Sequence, residues 1–429
     1  MSAGRYRGLF WAPDGEPVPG ILEIAESGAL SVELQGRLLA GGSAWHMPDE
    51  AVRMEGEIAD SPFPGPMVTL LGCLQTQRRS GIGGSLERWL AHRALIGNAA
   101  VDADMLFDRA TLGILGLSAF LGQRPPLGDP ASEVFRVSPP RTEVERFVVG
   151  DWKVVLGWGT SSSRQASSLQ LEQAPFIEVE LEEPCSVDDV LGKVVPVFEA
   201  ILTIALRVHA RSEQIMVGSS DKRAVYRVLG PRVEAPADSK REFHRSELLF
   251  HLAEMPGGSG LIERTRQMLA QHPEFAATFL GYERAPPRYV EDRVRASVLT
   301  LAHLARVFPG VIERSRQWLT FLESAPEQIQ PFLPSAALVA VPEFVREMLT
   351  PRLCEALDVS SKEAFVGEIG PAFRWATLRE GSQTGYDILR LNHQLRTLLH
   401  LALLKYLGFE PDEAERRMVE SIQQRGLML

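Results

Sequence analysis

The chain has 429 residues and carries 45 Lys+Arg against 55 Asp+Glu, a formal net charge of −10. At 45% hydrophobic and 23% charged residues it has the balance of an ordinary globular protein, which excludes a wholly disordered chain, a collagen-like fibre and a small disulfide scaffold, and its length calls for two or three domains. Residues 1–239 hold 22 basic against 31 acidic side chains and residues 240–429 hold 23 against 24, so the acidic N-terminal half makes a poor general binder of polyanions.

The elements of the first half read as strands. In residues 20–36, Leu22 and Ile24 flank Glu23, and Leu30, Val32 and Leu34 alternate with Ser31 and Glu33. With Ala25 to Gly28 as the turn, this is a hairpin with one buried face. Residues 66–75 are a second apolar strand. Residues 157–168 and 218–220 are Ser/Gly-rich and read as loops. Ile177, Val179 and Leu181 alternate with Glu178, Glu180 and Glu182 in a further strand. Ser186 with Asp189 three residues on is a capping-box-like start. It opens a helix whose apolar residues recur from Val190 to Leu206, with Pro196 placed to kink it. A short strand at 214–217 follows.

From about residue 240 the period is helical. The spacing predicts helices over 245–255, 261–271, 288–307, 311–322, 344–357, 362–369 and 389–407, separated by prolines. The fold class is α+β. Residues 1–230 form a β-rich, sheet- or sandwich-like region with at least one long helix. Residues 240–310 form a helical connection, and residues 311–429 an all-α bundle.

Several kinds of chemistry are absent from the sequence. Gly192-Lys193 lacks the remaining residues of a phosphate-binding P-loop, and there is no His-Glu-x-x-His or Gly-x-Ser-x-Gly. Gly81-Ile82-Gly83-Gly84 does not have dinucleotide-fingerprint spacing. Cys73, Cys185 and Cys354 are too far apart for a disulfide framework or a zinc site. No cofactor and no metal are therefore expected. No window approaches a spanning helix, and residues 1–11 show no signal peptide, so no membrane association and a cytoplasmic location are the expectations. Trp158, between two glycines, reads as a packing residue. His393 and His400 lie seven residues apart on one helix, two turns along one face, with Arg396 beside them. That face could offer an acid/base pair with a cationic neighbour. It could equally be the margin of the apolar stripe Leu395, Leu398, Leu399, Ala402 and Leu403.

Gly8-Leu9-Phe10-Trp11-Ala12-Pro13-Asp14, Val18-Pro19-Gly20-Ile21-Leu22 and Val68-Thr69-Leu70-Leu71-Gly72-Cys73 resemble the opening of the ApeA N-terminal domain. Pro175-Phe176-Ile177-Glu178-Val179 and Ser186-Val187-Asp188-Asp189-Val190-Leu191 are similar to its later part. Leu395-Arg396-x-Leu398-Leu399 and Leu403 to Phe409 resemble the terminal helix of ApeA-like HEPN domains. The resemblance implies an antiphage defence protein of the abortive-infection type. It pairs a sensing N-terminal region with a HEPN ribonuclease that acts as a homodimer, with RNA, a phage-derived trigger or a second defence protein as partner.

In that family the motif is Arg, four to six residues, then His. The histidine serves as acid or base, and the arginine holds the developing phosphorane charge. Here the arginine falls at Arg374, and positions 379 to 381 hold Arg379, Glu380 and Gly381 in place of a histidine. The resemblance therefore implies a degenerate site. Its catalytic candidates are Arg374 and His393, and its RNA-binding candidates are Arg379, Arg390 and Arg396. The sensor or scaffold reading stands first. An active endonuclease with a rearranged site, using Arg374, Arg379 and His393, is the alternative. Arg245…His251 and Arg266…His272 also fit the spacing. With 39 arginines and nine histidines, however, about two or three matches arise by chance, and the pairs carry no weight.

Overall fold

A computed structural model describes residues 3–39, 52–59, 61, 63, 65–81, 84–102, 104–122, 141–165, 168–220, 224–230, 243–284, 289–305, 341–378 and 385–424. The chain divides into two compact units. The first comprises residues 1–117, 124–195 and 212–240, and the second comprises residues 118–123, 196–211 and 241–429.

Among the described residues the first unit holds thirteen antiparallel strands in the order β4-β1-β2-β3-β6-β5-β7-β13-β12-β8-β11-β10-β9. They are β1 (Gly4–Trp11), β2 (Val18–Ile24), β3 (Leu30–Leu34), β4 (Val52–Ile58), β5 (Met67–Gly81), β6 (Gly84–Ala91) and β7 (Arg93–Gly97). They continue with β8 (Phe107–Ile114), β9 (Arg141–Val149), β10 (Trp152–Gln165), β11 (Ser168–Cys185), β12 (Ser212–Ser219) and β13 (Ala224–Leu229). An additional β4–β5 pairing closes the first six strands of this order into a barrel. The sheet-like expectation is thus met by a barrel continued into an open sheet.

The predicted hairpin is present, with Gly20↔Leu34 through Ile24↔Leu30 in register. Leu22, Ile24, Leu30, Val32 and Leu34 all point into the core. Their period-2 spacing puts every one of them on the same face. Along its length strand β5 pairs first with β7 and then with β6. Gly72, at φ +64°, sits opposite the break between them at His92. A β-carbon on Gly72 would lie 2.9 Å from that of His92, so the bend needs the one residue without one.

The Ser/Gly-rich stretch 157–168 is not a loop. It forms the arms of the β10–β11 hairpin, in register from Trp152↔Leu181 to Gln165↔Ser168. Polar composition concealed a ladder that backbone pairing makes. Trp158 is buried within it. Ser186 opens the following helical run as its spacing predicts, its hydroxyl accepting from the Asp189 N–H at 3.1 Å. A π-helical segment, Val190–Val194, lies before Pro196.

The second unit contains α1 (Leu117–Leu121, from Ser118 on), α2 (Val195–Leu206, from Pro196 on), α3 (Ser259–Gln271), α4 (Pro273–Arg284) and α5 (Val290–Ala305). It continues with α6 (Val341–Met348), α7 (Pro351–Ala356), α8 (Lys362–Leu378), α9 (Gly385–Tyr406) and α10 (Pro411–Gln424). The predicted helices over 261–271, 288–307 and 389–407 correspond to α3, α5 and α9. The one over 311–322 lies outside the described residues.

Three helical expectations need correcting. Residues 245–255 form two separate 3₁₀ turns, Arg245–Glu247 and Leu252–Glu254. Each turn follows a His-x-x-Glu in which the carboxylate accepts the histidine's own backbone N–H, at 3.0 Å for His244 and 3.2 Å for His251. The second such start restarts the chain instead of extending the first turn. Residues 344–357 split into α6 and α7, because Thr350 caps a new helix with Pro351 at its first position. Helix α8 runs through Pro371 to Leu378, well past the predicted end at 369.

Helix α9 is the spine of this unit. Leu395, Leu398, Leu399, Leu401 to Leu404 and Leu407 are fully buried. Polar contacts fix its position: Asn392 accepts from Ser297 Oγ at 2.7 Å and donates to Tyr282 Oη at 3.3 Å. Gly408, at φ +95°, ends it, and Arg264 Nε donates to the Leu407 carbonyl at 2.9 Å.

Candidate functional site

The residues singled out in the sequence sit on α8 and α9 or between them. Arg374 lies on α8, and its side chain is outside the described residues, as are Arg379 and Glu380. His393 is an exposed residue of α9. His400, two turns on, is 1% exposed. Its Nδ1–H donates to the Arg396 carbonyl at 2.8 Å, and its ring meets Phe279 edge-on at 6.2 Å. The two histidines therefore share a face but not a surface, because the Phe279 side of the unit covers only the second.

The arginines of α9 have intramolecular partners. Arg396 is ion-paired with Glu283 on α4, and its guanidinium lies 4.1 Å from the centroid of the Tyr282 ring. Burial pushes its pKa down to about 10. Arg390 binds the Asp358 carboxylate at 2.9 Å and the Asp358 carbonyl as well. It lines a cavity of about 620 Å³ together with Glu355, Glu368 and Gln394.

The second unit has another polar cavity, of about 370 Å³, lined by Arg245, Ser246, Leu248, Leu249, His251, Glu254, Arg417, Glu420, Ser421 and Gln424. The two 3₁₀ turns supply one wall and α10 the other. Arg245 Nη2 lies within hydrogen-bonding distance of both ring nitrogens of His251, 3.0 Å from Nδ1 and 2.5 Å from Nε2, and Nε2 also faces Glu254 Oε1 at 3.2 Å. Burial lowers the pKa of His251, with Glu254 opposing and Arg245 and Arg417 reinforcing the shift. Burial alone would raise Glu254, but the hydrogen bond and charge of Arg417 outweigh it and hold the carboxyl below its usual range. Arg417 is gripped by Glu254 at 2.9 Å and Glu413 at 2.6 Å, and donates to the Leu249 carbonyl at 2.8 Å.

The Arg245…His251 spacing was visible in the sequence but indistinguishable from chance. Glu254 and Arg417 gave no signal, since α10 was not predicted and 163 positions separate the two. Among the described residues no group of three or more His, Cys, Asp or Glu side chains is placed to hold a metal ion. No described helix is long and apolar enough to cross a membrane.

No curated protein matches the chain. The family model described as ApeA N-terminal domain 1 matches residues 5–257, more than half of the sequence. It covers the strand region from Arg5 onward and ends just beyond the second 3₁₀ turn. On that match, the chain belongs to the ApeA family of antiphage defence proteins.

Proposed function

We propose that the protein is a defence factor of the abortive-infection type whose C-terminal helices form a HEPN-like bundle with a degenerate ribonuclease motif. It works as a sensor or scaffold rather than as a nuclease, as a homodimer, with a phage product, a second defence protein or RNA as its partner. The observation that carries this reading is the engagement of α9. Arg396 is buried against Glu283 and Tyr282, and Arg390 is tied to Asp358. A guanidinium with a close carboxylate has little remaining charge to offer a phosphate, and extracting a buried one costs several kcal/mol. The sequence adds that no histidine follows Arg374 at the distance that proton transfer requires. Loss of such an acid or base lowers a rate by roughly 10²–10⁴-fold.

The test is direct. Purified protein is incubated with tRNA and mRNA, with and without lysate from phage-infected cells, and plaque formation is measured for Arg374→Ala and His393→Ala strains. Intact RNA and undiminished protection are expected. RNA cleavage that disappears in Arg374→Ala would establish the active-nuclease alternative instead.

A further inference from the structure

The cavity beside Arg245 has a charge arrangement that packing does not explain. Of the four charged side chains lining it, Glu254 is engaged by Arg417, and Glu420 by Arg416 at 3.2 Å. Arg417 itself is balanced by Glu254 and Glu413. Arg245 differs: among the described residues its hydrogen-bonding partner is the imidazole of His251 and not a carboxylate. An imidazole brings no negative charge, so it orients a guanidinium without cancelling its charge, where a carboxylate would do both. The remaining polar lining is neutral and consists of the side chains of Ser421 and Gln424 with Ser246. Leu249, which is buried, adds an apolar wall.

We infer that this cavity binds a phosphate ester of mononucleotide size, with the phosphate on Arg245 and the organic part toward Leu249. A planar guanidinium offers paired donors to phosphate oxygens, and hydroxyl and amide groups complete their hydrogen bonds without repelling them. The volume of about 370 Å³ exceeds what an isolated oxyanion fills and lies within the range of small-molecule sites. The site lies apart from the Arg374 segment in sequence, and the inference holds whether or not the protein cleaves RNA.

Calorimetric titration of the full-length protein with adenosine monophosphate, inorganic phosphate and adenosine tests it. Saturable binding of the monophosphate is expected. Inorganic phosphate should compete at higher concentration, and adenosine should not compete. Arg245→Gln should weaken binding by about tenfold or more with an unchanged melting curve, while Arg266→Gln, on α3, should leave it unchanged. Should Arg245→Gln fail to fold, Arg245→Lys serves: it keeps the charge, loses the fork, and should bind measurably more weakly. Absence of saturable binding at millimolar monophosphate would overturn the inference. So would equal affinity in a folded Arg245 variant, or competition by adenosine as strong as by the monophosphate.

Discussion

Glu283 and Arg396 form an ion pair between α4 and α9, with side chains only 8% and 13% exposed. The Tyr282 ring lies against the guanidinium. The arrangement fixes α4 against the central helix at a point where neither partner can find water if the other is removed.

Removing the acid alone should therefore destabilise the second unit strongly. Glu283→Ala leaves a buried cation unpaired, and the expected loss is about 3–5 kcal/mol. The double variant Glu283→Leu/Arg396→Met removes both charges and should recover most of that loss. Urea denaturation of the wild type, Glu283→Leu, Arg396→Met and the double variant measures the coupling. A coupling near zero would show that the pair contributes nothing to stability.

His209 supplies a pH dependence. Burial, reinforced by the charges of Arg284 and Arg211, lowers its pKa from 6.5 to about 4. The unfolded chain then takes up a proton near pH 6.5 while the folded chain does not. The stability tied to this ring is complete above pH 6.5 and is lost as pH falls toward 4. The side chain is partly open to solvent, and screening limits the effect to roughly 2 kcal/mol. Urea midpoints of the wild type and His209→Gln, compared at pH 7 and pH 4.5, should converge at the lower pH. Parallel profiles would refute the assignment.

Cys73 and Cys185 should differ in reactivity. Cys73 lies at 0% exposure in the barrel core, and burial pushes its thiol up to about 12. The thiolate is the reactive species, so Cys73 should resist iodoacetamide at pH 8 in the native protein. Cys185, half-buried with a more modestly raised pKa, should be alkylated first. Mass spectrometry of peptides after timed quenching reads the order. Early labelling of Cys73 would mean that the barrel opens locally.

How much of this was legible in the sequence depends on the range of the information. Leu30, Val32 and Leu34 announced a strand, because alternation is a property of neighbours. Ser186 and Asp189 announced a helix start for the same reason. The helices that begin at Pro273 and Pro411 were not predicted, although each proline stands at the first position of its helix, with Glu274, or Asp412 and Glu413, in the first turn. Both signs mark a helix start. The β4–β5 pairing that closes the barrel is not encoded in either strand's pattern. The buried partner of Arg396 lies 113 positions upstream, on a helix that was not anticipated. Arg245 and His251 show the limit most clearly. Their spacing was noted, but only the chain reversals of two 3₁₀ turns turn that spacing into a contact.

The bend at Gly72 gives the last prediction. Strand β5 serves β7 over Met67 to Leu71 and β6 from Leu74 onward, and the change of partner occurs at a residue with φ +64°. A non-glycine residue there must adopt the left-handed conformation, at about 1–2 kcal/mol. It must also place a β-carbon 2.9 Å from that of His92, and that contact is relieved only by moving the β6–β7 junction. Gly72→Ala should therefore cost more than the backbone preference alone, about 2–4 kcal/mol in total. His92→Gly in the same background removes the steric part but not the conformational one, so the double variant should regain part of the loss. A melting temperature for Gly72→Ala within a degree of wild type would show that β5 passes from one partner to the other without the strain assigned to this bend.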